Sequence, residues 1–331
     1  MNKLRGKNPG GLLLDWSAVI AIILCILFFT AVKGAAFLSS ANLINILRAM
    51  SITTILAIAL TVTLACDGFD MSACTLASCS GYVFMACYLW YGWSLAVSAA
   101  ACVLFTMTAY LLTMFLILVC RIPDMLATCA LMFIHQGLGQ WFTGGGAVSA
   151  GMRLPNGSLP QRTSFEPGFA GIGQAPWIIV IMFACVISAH IFLRYTKQGT
   201  FLYAMGSSRT AAVLSGIHVG KCRFLAGMIT ALFIAVGAIV VCSRNTAAQL
   251  CGCDNYLMPA LAAVFVGRSV GGMEKPTAMG TVLGAGLIVI LENGLTLCSV
   301  PYYILPAVKG GVLAAALAAV YLPRKVNGNG M

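Results

Sequence analysis

The sequence predicts an all-α, polytopic membrane protein with about ten transmembrane helices in a single domain over residues 1–331. The chain is 60% hydrophobic and 8% charged, with a mean hydropathy of +0.97, whereas soluble domains carry about 25% charged residues. Its apolar runs are also long and do not alternate with polar residues. A transmembrane barrel would show alternating segments of about 10 residues, and a helix needs about 20 apolar residues to cross the bilayer. Helical spans are therefore expected.

The predicted spans are apolar runs separated by polar or turn-forming residues. They cover residues 14–32, 51–66, 73–92, 95–119, 124–142, 176–193, 223–242, 256–270, 277–297 and 302–322. The second and eighth are short, which indicates broken or tilted helices. The first follows a basic segment, as in a signal peptide, but it exceeds the ~7–15 residues of a signal-peptide core. It is therefore expected to be an uncleaved first span.

The basic residues orient the chain in the membrane. With the N-terminus inside, 13 of the 19 Lys and Arg fall in cytoplasmic segments, and ten spans return the C-terminus to the same side. Cytoplasmic loops are enriched in Lys and Arg, so we expect a membrane protein with both termini cytoplasmic. The same rule explains the net charge of +11. No basic run is interleaved with aromatic residues, so a nucleic-acid partner is not expected.

Two loops stand out by length and composition. The extracytoplasmic loop, about 143–175, is rich in Gly and Pro and is expected to be irregular but compact. The cytoplasmic loop, about 199–222, should contain a short surface helix that begins near Ser207 or Ser208 with a hydroxyl cap and ends at or beyond Gly216. Its small residues would let another protein approach closely, and Arg209 could pair with a carboxylate. An ordinary amphipathic connector would look the same, and the spacing does not separate the two.

The chain carries no recognisable catalytic constellation. The segment from Gly216 to Cys222 resembles a phosphate-binding loop, but only three residues separate its glycines, and Cys222 stands where a Ser or Thr would reach Mg²⁺. The three histidines are scattered, and most of the 14 cysteines lie inside apolar runs, which favours packing over metal binding. We therefore expect no enzyme activity and no bound cofactor, with any ATP chemistry in another chain.

Carboxylates inside apolar spans are functional candidates, because burying their charge in a bilayer is costly. Asp67 and Asp70 precede the third span, and Glu292 lies in the ninth. One hypothesis is a stand-alone, ion-coupled secondary transporter that uses Asp70 and Glu292. The alternative for the first pair is that Asp67 and Asp70 cap the following helix, with help from Ser72. Asp70, Ser72, Glu292 and Asn293 are the candidate pathway or structural polar residues.

Five segments, in their order along the chain, match the pattern of one known family. FLSSANLINILRAMS at 37–51 is similar to FLS..N..NILRQ.S in that pattern, and DGFDMSAC at 67–74 to GGIDLSVG. RIPDMLATCALMFIHQGLGQWFTGG at 121–145, LYAMGSSRTAAVLSGIHVGKCR at 202–223 and PYYILPAVKGG at 301–311 continue it, and their order is more specific than any one of them. The chain thus resembles permease subunits of bacterial ABC importers of the ribose/simple-sugar and autoinducer-2 type, which implies a bacterial inner-membrane protein. It departs from the family at Leu257 and Pro259, where the family carries acids.

The resemblance implies the membrane permease of an ATP-driven importer for a monosaccharide or related small polar solute. It implies two cytoplasmic ATP-binding subunits that use ATP and Mg²⁺, a second permease copy in a homo- or heterodimer, and an extracytoplasmic solute-binding protein. It also implies that the cytoplasmic loop couples the permease to the ATPase. The coupling residues would be Tyr203, Gly206, Ser207, Arg209, Ala212, Leu214, Ser215, Gly216 and Ile217.

Overall fold

The structure is a computed structural model that describes residues 16–268, 275–301, 303–308, 310, 311 and 314. Within these residues, helices are joined by turns, and one two-stranded ribbon is present. The helices are α1 Ser17–Lys33, α2 Ser40–Ala65, α3 Ala73–Met85 with a π-helical extension Ala86–Trp90, α4 Leu95–Leu118, α5 Asp124–Thr143, α6 Phe169–Ile172, α7 Trp177–Tyr195, α8 Lys197–Ser207, α9 Arg209–Leu214, α10 Val219–Asn245, α11 Leu257–Gly267 and α12 Ala278–Leu297. The strands are β1 Val148–Ser149 and β2 Ala247–Ala248, which pair in antiparallel register.

Seven of the described helices, α1 to α4, α7, α10 and α12, are long and apolar enough to cross a membrane. The all-α polytopic prediction agrees with this, but the count of about ten is not confirmed. Helix α5 falls short in hydropathy, since it carries Asp124, His135, Gln136 and Gln140. Helix α11 has 11 residues, about 16 Å at 1.5 Å per residue, too short for a ~30 Å core. The predicted span 302–322 lies mostly outside the described residues.

The second span is not short, contrary to the sequence-based prediction. Helix α2 begins at Ser40 and has 26 residues, so its first turns precede the predicted start at residue 51. The polar residues Asn42, Asn45 and Arg48 lower the hydropathy of these turns without interrupting the helix. The Ser39 side chain caps the helix by accepting a hydrogen bond from the Asn42 backbone at 3.3 Å.

Helices α2, α3 and α10 form the centre of the bundle. Every residue from Ser51 to Thr63 is buried, and α2 packs against α7, α10, α11 and α12. Helix α3 is enclosed along nearly its whole length. Because lipid is as apolar as the helices, hydrogen bonds and close packing must hold such a centre together. Two threonine pairs supply such bonds, Thr61 with Thr281 at 2.7 Å and Thr63 with Thr230 at 3.1 Å.

The two ends of the bundle differ. At one, called here the α9 end, lie α8, α9, the last turn of α2 and the first turns of α5, α10 and α12. Asp124 of α5 forms an ion pair there with Arg223 of α10. At the other, the loop end, residues 143–175 fold over α3, where Phe165 and Phe169 stack with Tyr88 at 6.3 and 5.2 Å. The loop is therefore compact, as predicted.

Candidate functional site

Helix α8 is held tightly against the α9 end of the bundle. Gly206 meets the backbone of Ala65 so closely that a Cβ atom would overlap the Ala65 carbonyl oxygen. The Tyr203 hydroxyl donates to the carbonyl oxygen of Pro276 at 2.8 Å, which ties α8 to the start of α12. Burial raises the pKa of Tyr203 to about 12, so this hydroxyl keeps its proton at neutral pH. The segment that leads into α9 is therefore fixed to two long helices.

Helix α9 is bounded by the residues that the sequence indicated. The Ser208 side chain accepts a hydrogen bond from the Ala211 backbone at 3.2 Å, which is the predicted hydroxyl cap. At the other end Gly216 adopts a positive φ of 78°. Its N–H donates to Val213, and the next N–H, of Ile217, donates to Ala212, both at 3.0 Å. This pair of bonds is the Schellman arrangement that commonly ends helices at glycine.

The predicted coupling residues divide into an inward and an outward group. Tyr203, Gly206, Ala212 and Ile217 contact or face the bundle. The outward group is exposed and consists of Ser207, Arg209, Leu214, Ser215 and Gly216.

The outward surface of α9 has the chemistry of a protein interface. Between residues 206 and 216 only Ala212 is buried. The Leu214 side chain is 84% exposed and that of Val213 56%, and Arg209 lies beside them on the same short helix. Large exposed apolar side chains next to a cation are typical of docking sites. Val213 was missed as a candidate from the sequence, because its exposure depends on which side of α9 faces the bundle.

Asp70 is buried in the turn that precedes α3. Its side chain is 1% exposed. One carboxylate oxygen accepts hydrogen bonds from the backbone N–H and the hydroxyl of Ser72, both at 2.8 Å, and the other accepts from the Tyr110 hydroxyl at 2.9 Å. Ser72 is the N-cap residue of α3, and its own side chain makes no capping hydrogen bond. Asp67 is exposed with φ 58°, and its side chain makes no hydrogen bond to the described residues.

Asn293 joins α12 to the start of α2. Its amide and that of Asn42 exchange two hydrogen bonds, at 3.0 and 2.9 Å, and Asn42 also donates to the carbonyl of Phe37 at 2.8 Å. Glu292 is half-buried beside this pair. Asn293 therefore has a structural role, because it satisfies a buried amide between two helices.

The structure does not bring Asp70 and Glu292 together. Asp70 lies near the α9 end, close to the last turn of α2. Glu292 is 14 residues into α12, which starts at the same end, so it lies about 20 Å further along the bundle. A single ion site could not use both carboxylates, so the ion-coupled hypothesis would need a separate site at each.

Asp254 is a polar site that sequence analysis did not single out. One of its carboxylate oxygens accepts from the Ser78 hydroxyl at 2.7 Å and the other from the Gln136 amide at 2.8 Å. The backbone N–H of Cys253 donates to Ser78, and that of Cys251 to Tyr82, at 3.0 and 2.7 Å. The segment between β2 and α11 thus lies along α3, with Cys251 beside Tyr82 and Cys253 beside Ser78. Asp254 is half-buried, so part of this polar residue is accessible from outside the chain, although the structure around it is largely apolar.

The chain was compared with known protein families. Residues 42–321 match the family model described as branched-chain amino acid transport system / permease component. The matched range includes α3 to α12 and all but the first two residues of α2.

Curated relatives are similar over nearly the whole chain. The ribose import permease protein RbsC of Haemophilus influenzae is 29% identical over 342 residues, covering 98% of each chain. The protein of the same name from Escherichia coli (strain K12) is 27% identical and covers 92% of this chain and 93% of its own. The xylose transport system permease protein XylH of Escherichia coli (strain K12) is 25% identical and covers 90% and 89%.

Proposed function

This chain belongs to the family of branched-chain amino acid transport system permease components, and we propose from that premise that it is the membrane permease subunit of an ATP-driven importer. Its solute is a small polar compound, a monosaccharide or a close relative of one, carried across the cytoplasmic membrane. The chain itself binds no nucleotide. ATP and Mg²⁺ are used by partner ATP-binding subunits.

The observation that carries the proposal is the α8–α9 segment. It combines rigid attachment through Gly206 and Tyr203 with an outward face that contains Arg209, Val213 and Leu214. Because α8 is fixed to the bundle and α9 carries exposed apolar side chains, a partner bound to α9 can transmit its movement to the membrane helices. A mobile loop could not transmit such a movement. Differential binding of the partner in its nucleotide states would then shift the permease between inward-open and outward-open forms.

The proposed solute class rests on two supports. The relatives are a ribose import permease and a xylose transport permease. In this chain Asp254 joins Gln136 and Ser78 in a hydrogen-bonded cluster that is only half-buried at Asp254. Carboxylate, amide and hydroxyl groups exchange hydrogen bonds readily with a polyhydroxylated solute.

The proposed assembly contains two permease copies, identical or not, two ATP-binding subunits docked on α9, and a solute-binding protein. Both termini and the α9 end would then face the cytoplasm. The compact loop at 143–175 would face outward, where a solute-binding protein can reach it. The distribution of Lys and Arg supports this orientation.

Co-purification from detergent tests the docking step. The chain is co-expressed with an ATP-binding subunit, and wild type is compared with an Arg209→Glu/Leu214→Asp variant. The matched control, Arg153→Glu/Leu159→Asp, makes the same changes at exposed residues of the loop end, where Leu159 is 67% exposed. We expect the ATPase to accompany wild type and the control but not the α9 variant. Equal recovery with all three would refute docking through α9.

A further inference from the structure

A cavity of about 480 Å³ opens at the α9 end, between α7, α8 and the first turn of α12. Arg194 of α7 and Lys275, just before α12, lie on its wall, together with apolar side chains that include Leu193 and Met279. It belongs to neither the α9 docking surface nor the Asp254 cluster. Its position at the last turn of a membrane-spanning helix places it at the level of lipid headgroups.

The charge of the cavity is positive. Among the described residues no carboxylate lines it, and Arg194 is exposed, with no hydrogen bond or ion pair to any of them. The Lys275 ammonium donates to the backbone carbonyl of Tyr203 at 3.3 Å and lies 5.6 Å from the centre of its ring. These contacts fix its position, and neither of them is to a carboxylate. Two cations over one cavity, with no carboxylate from the described part of the chain on its wall, favour an anionic occupant.

The remaining wall is apolar and continues into the exposed side of α7. Phe183, Ile187 and Ile191 recur at four-residue intervals and are each about half exposed, so they form one stripe that leads towards Arg194. Met279 is exposed at the same opening. A soluble anion would gain nothing from this surface, whereas an acyl chain would cover it.

We propose that this cavity binds an anionic phospholipid, with the phosphate between Arg194 and Lys275 and an acyl chain along the exposed side chains of Ile191 and Met279. Basic pockets between transmembrane helices at headgroup level have the chemistry to bind such lipids. The bound lipid would also contact Tyr203, and so would brace the helix that leads into α9. This lipid site does not depend on whether an ATP-binding subunit docks on α9.

Native mass spectrometry of the purified full chain, titrated with phosphatidylglycerol or phosphatidylcholine, tests the site. Wild type is compared with Arg194→Gln/Lys275→Gln and with the matched control Lys197→Gln/Lys221→Gln, which removes two exposed cations at the same end outside the cavity. We expect wild type and the control to prefer phosphatidylglycerol. The cavity variant should lose roughly 30-fold in that preference, the factor expected for two basic groups near a headgroup.

A second experiment distinguishes a bound phospholipid from bound inorganic phosphate. Excess inorganic phosphate should leave the bound phosphatidylglycerol in place, and Met279→Glu should weaken lipid binding although Arg194 and Lys275 are intact. Three results would each overturn the proposal: displacement by inorganic phosphate, equal binding of the two lipids by wild type, or equal loss in the cavity variant and the control.

Discussion

At the scale of single residues, the two most informative carboxylates, Asp70 and Asp254, each accept hydrogen bonds on both oxygens but differ in accessibility. Asp70 is enclosed, and its donors come from its own turn and from α4. Asp254 is half-buried and is held by donors from α3 and α5. We therefore assign a structural role to Asp70 and propose a solute-contacting role for Asp254.

Asp70→Asn should destabilise the protein, because one acceptor oxygen becomes an NH₂ group that faces the Tyr110 or Ser72 donor. The expected loss in free energy of unfolding is about 1–3 kcal/mol, the cost of an unsatisfied buried polar group. The matched variant is Asp67→Asn, an exposed site with a left-handed backbone that Asn tolerates, where we expect a change within about 0.5 kcal/mol. Thermal unfolding in detergent measures both. Equal melting temperatures for the two variants would contradict the assignment.

Asp254→Asn should lower solute uptake by roughly tenfold, because a charge-assisted hydrogen bond is worth about 1.5–3 kcal/mol. Co-purification of an ATP-binding subunit should not change, since Asp254 lies inside the bundle and far from α9. Glu166→Gln removes a carboxylate that pairs with Arg162 on the exposed loop, and its uptake should stay within twofold of wild type. Uptake by Asp254→Asn at the wild-type rate would show that this carboxylate is only a structural anchor.

At the scale of elements, the boundaries that local signals determine could be predicted, and those that distant contacts determine could not. Ser208 and Gly216 bound α9 through bonds within a few residues, so the sequence indicated this helix. The early start of α2 was missed because Asn42 looks unfavourable in a span until its partner Asn293, 251 residues away, is known. The Asp254 cluster was missed for the same reason, since its donors lie 176 and 118 residues away.

Helix α8 packs against α2 through the close contact of Gly206 with Ala65. Gly206→Ala places a Cβ against the Ala65 carbonyl, and backbone atoms cannot move aside as a side chain can. We expect a loss of about 1–3 kcal/mol and weaker ATPase recovery, because α9 would shift with α8. In α10, Gly220→Ala adds a Cβ with no atom within 4 Å and should be neutral or stabilising by up to about 1 kcal/mol. Equal behaviour of the two variants in thermal unfolding would contradict the close contact.

At the scale of the whole molecule, a polytopic helical bundle carries a docking helix at one end, a compact loop at the other, and a reachable polar cluster between them. The composition alone predicted the membrane class. It did not predict how many helices cross, because an apolar run at 256–270 does not show that α11 has only 11 residues, and α5 has a long apolar run interrupted by polar side chains. This organisation suits the permease proposed above, which would take its energy from partner subunits.

Uptake of radiolabelled ribose or xylose into proteoliposomes tests the central claim most directly. The vesicles contain the permease with its ATP-binding subunits and receive the solute-binding protein outside and ATP inside. We expect uptake that requires internal ATP, is lost with Arg209→Glu/Leu214→Asp, and persists after ion gradients are collapsed. Uptake by the permease alone, without ATP and in proportion to an ion gradient, would contradict the account.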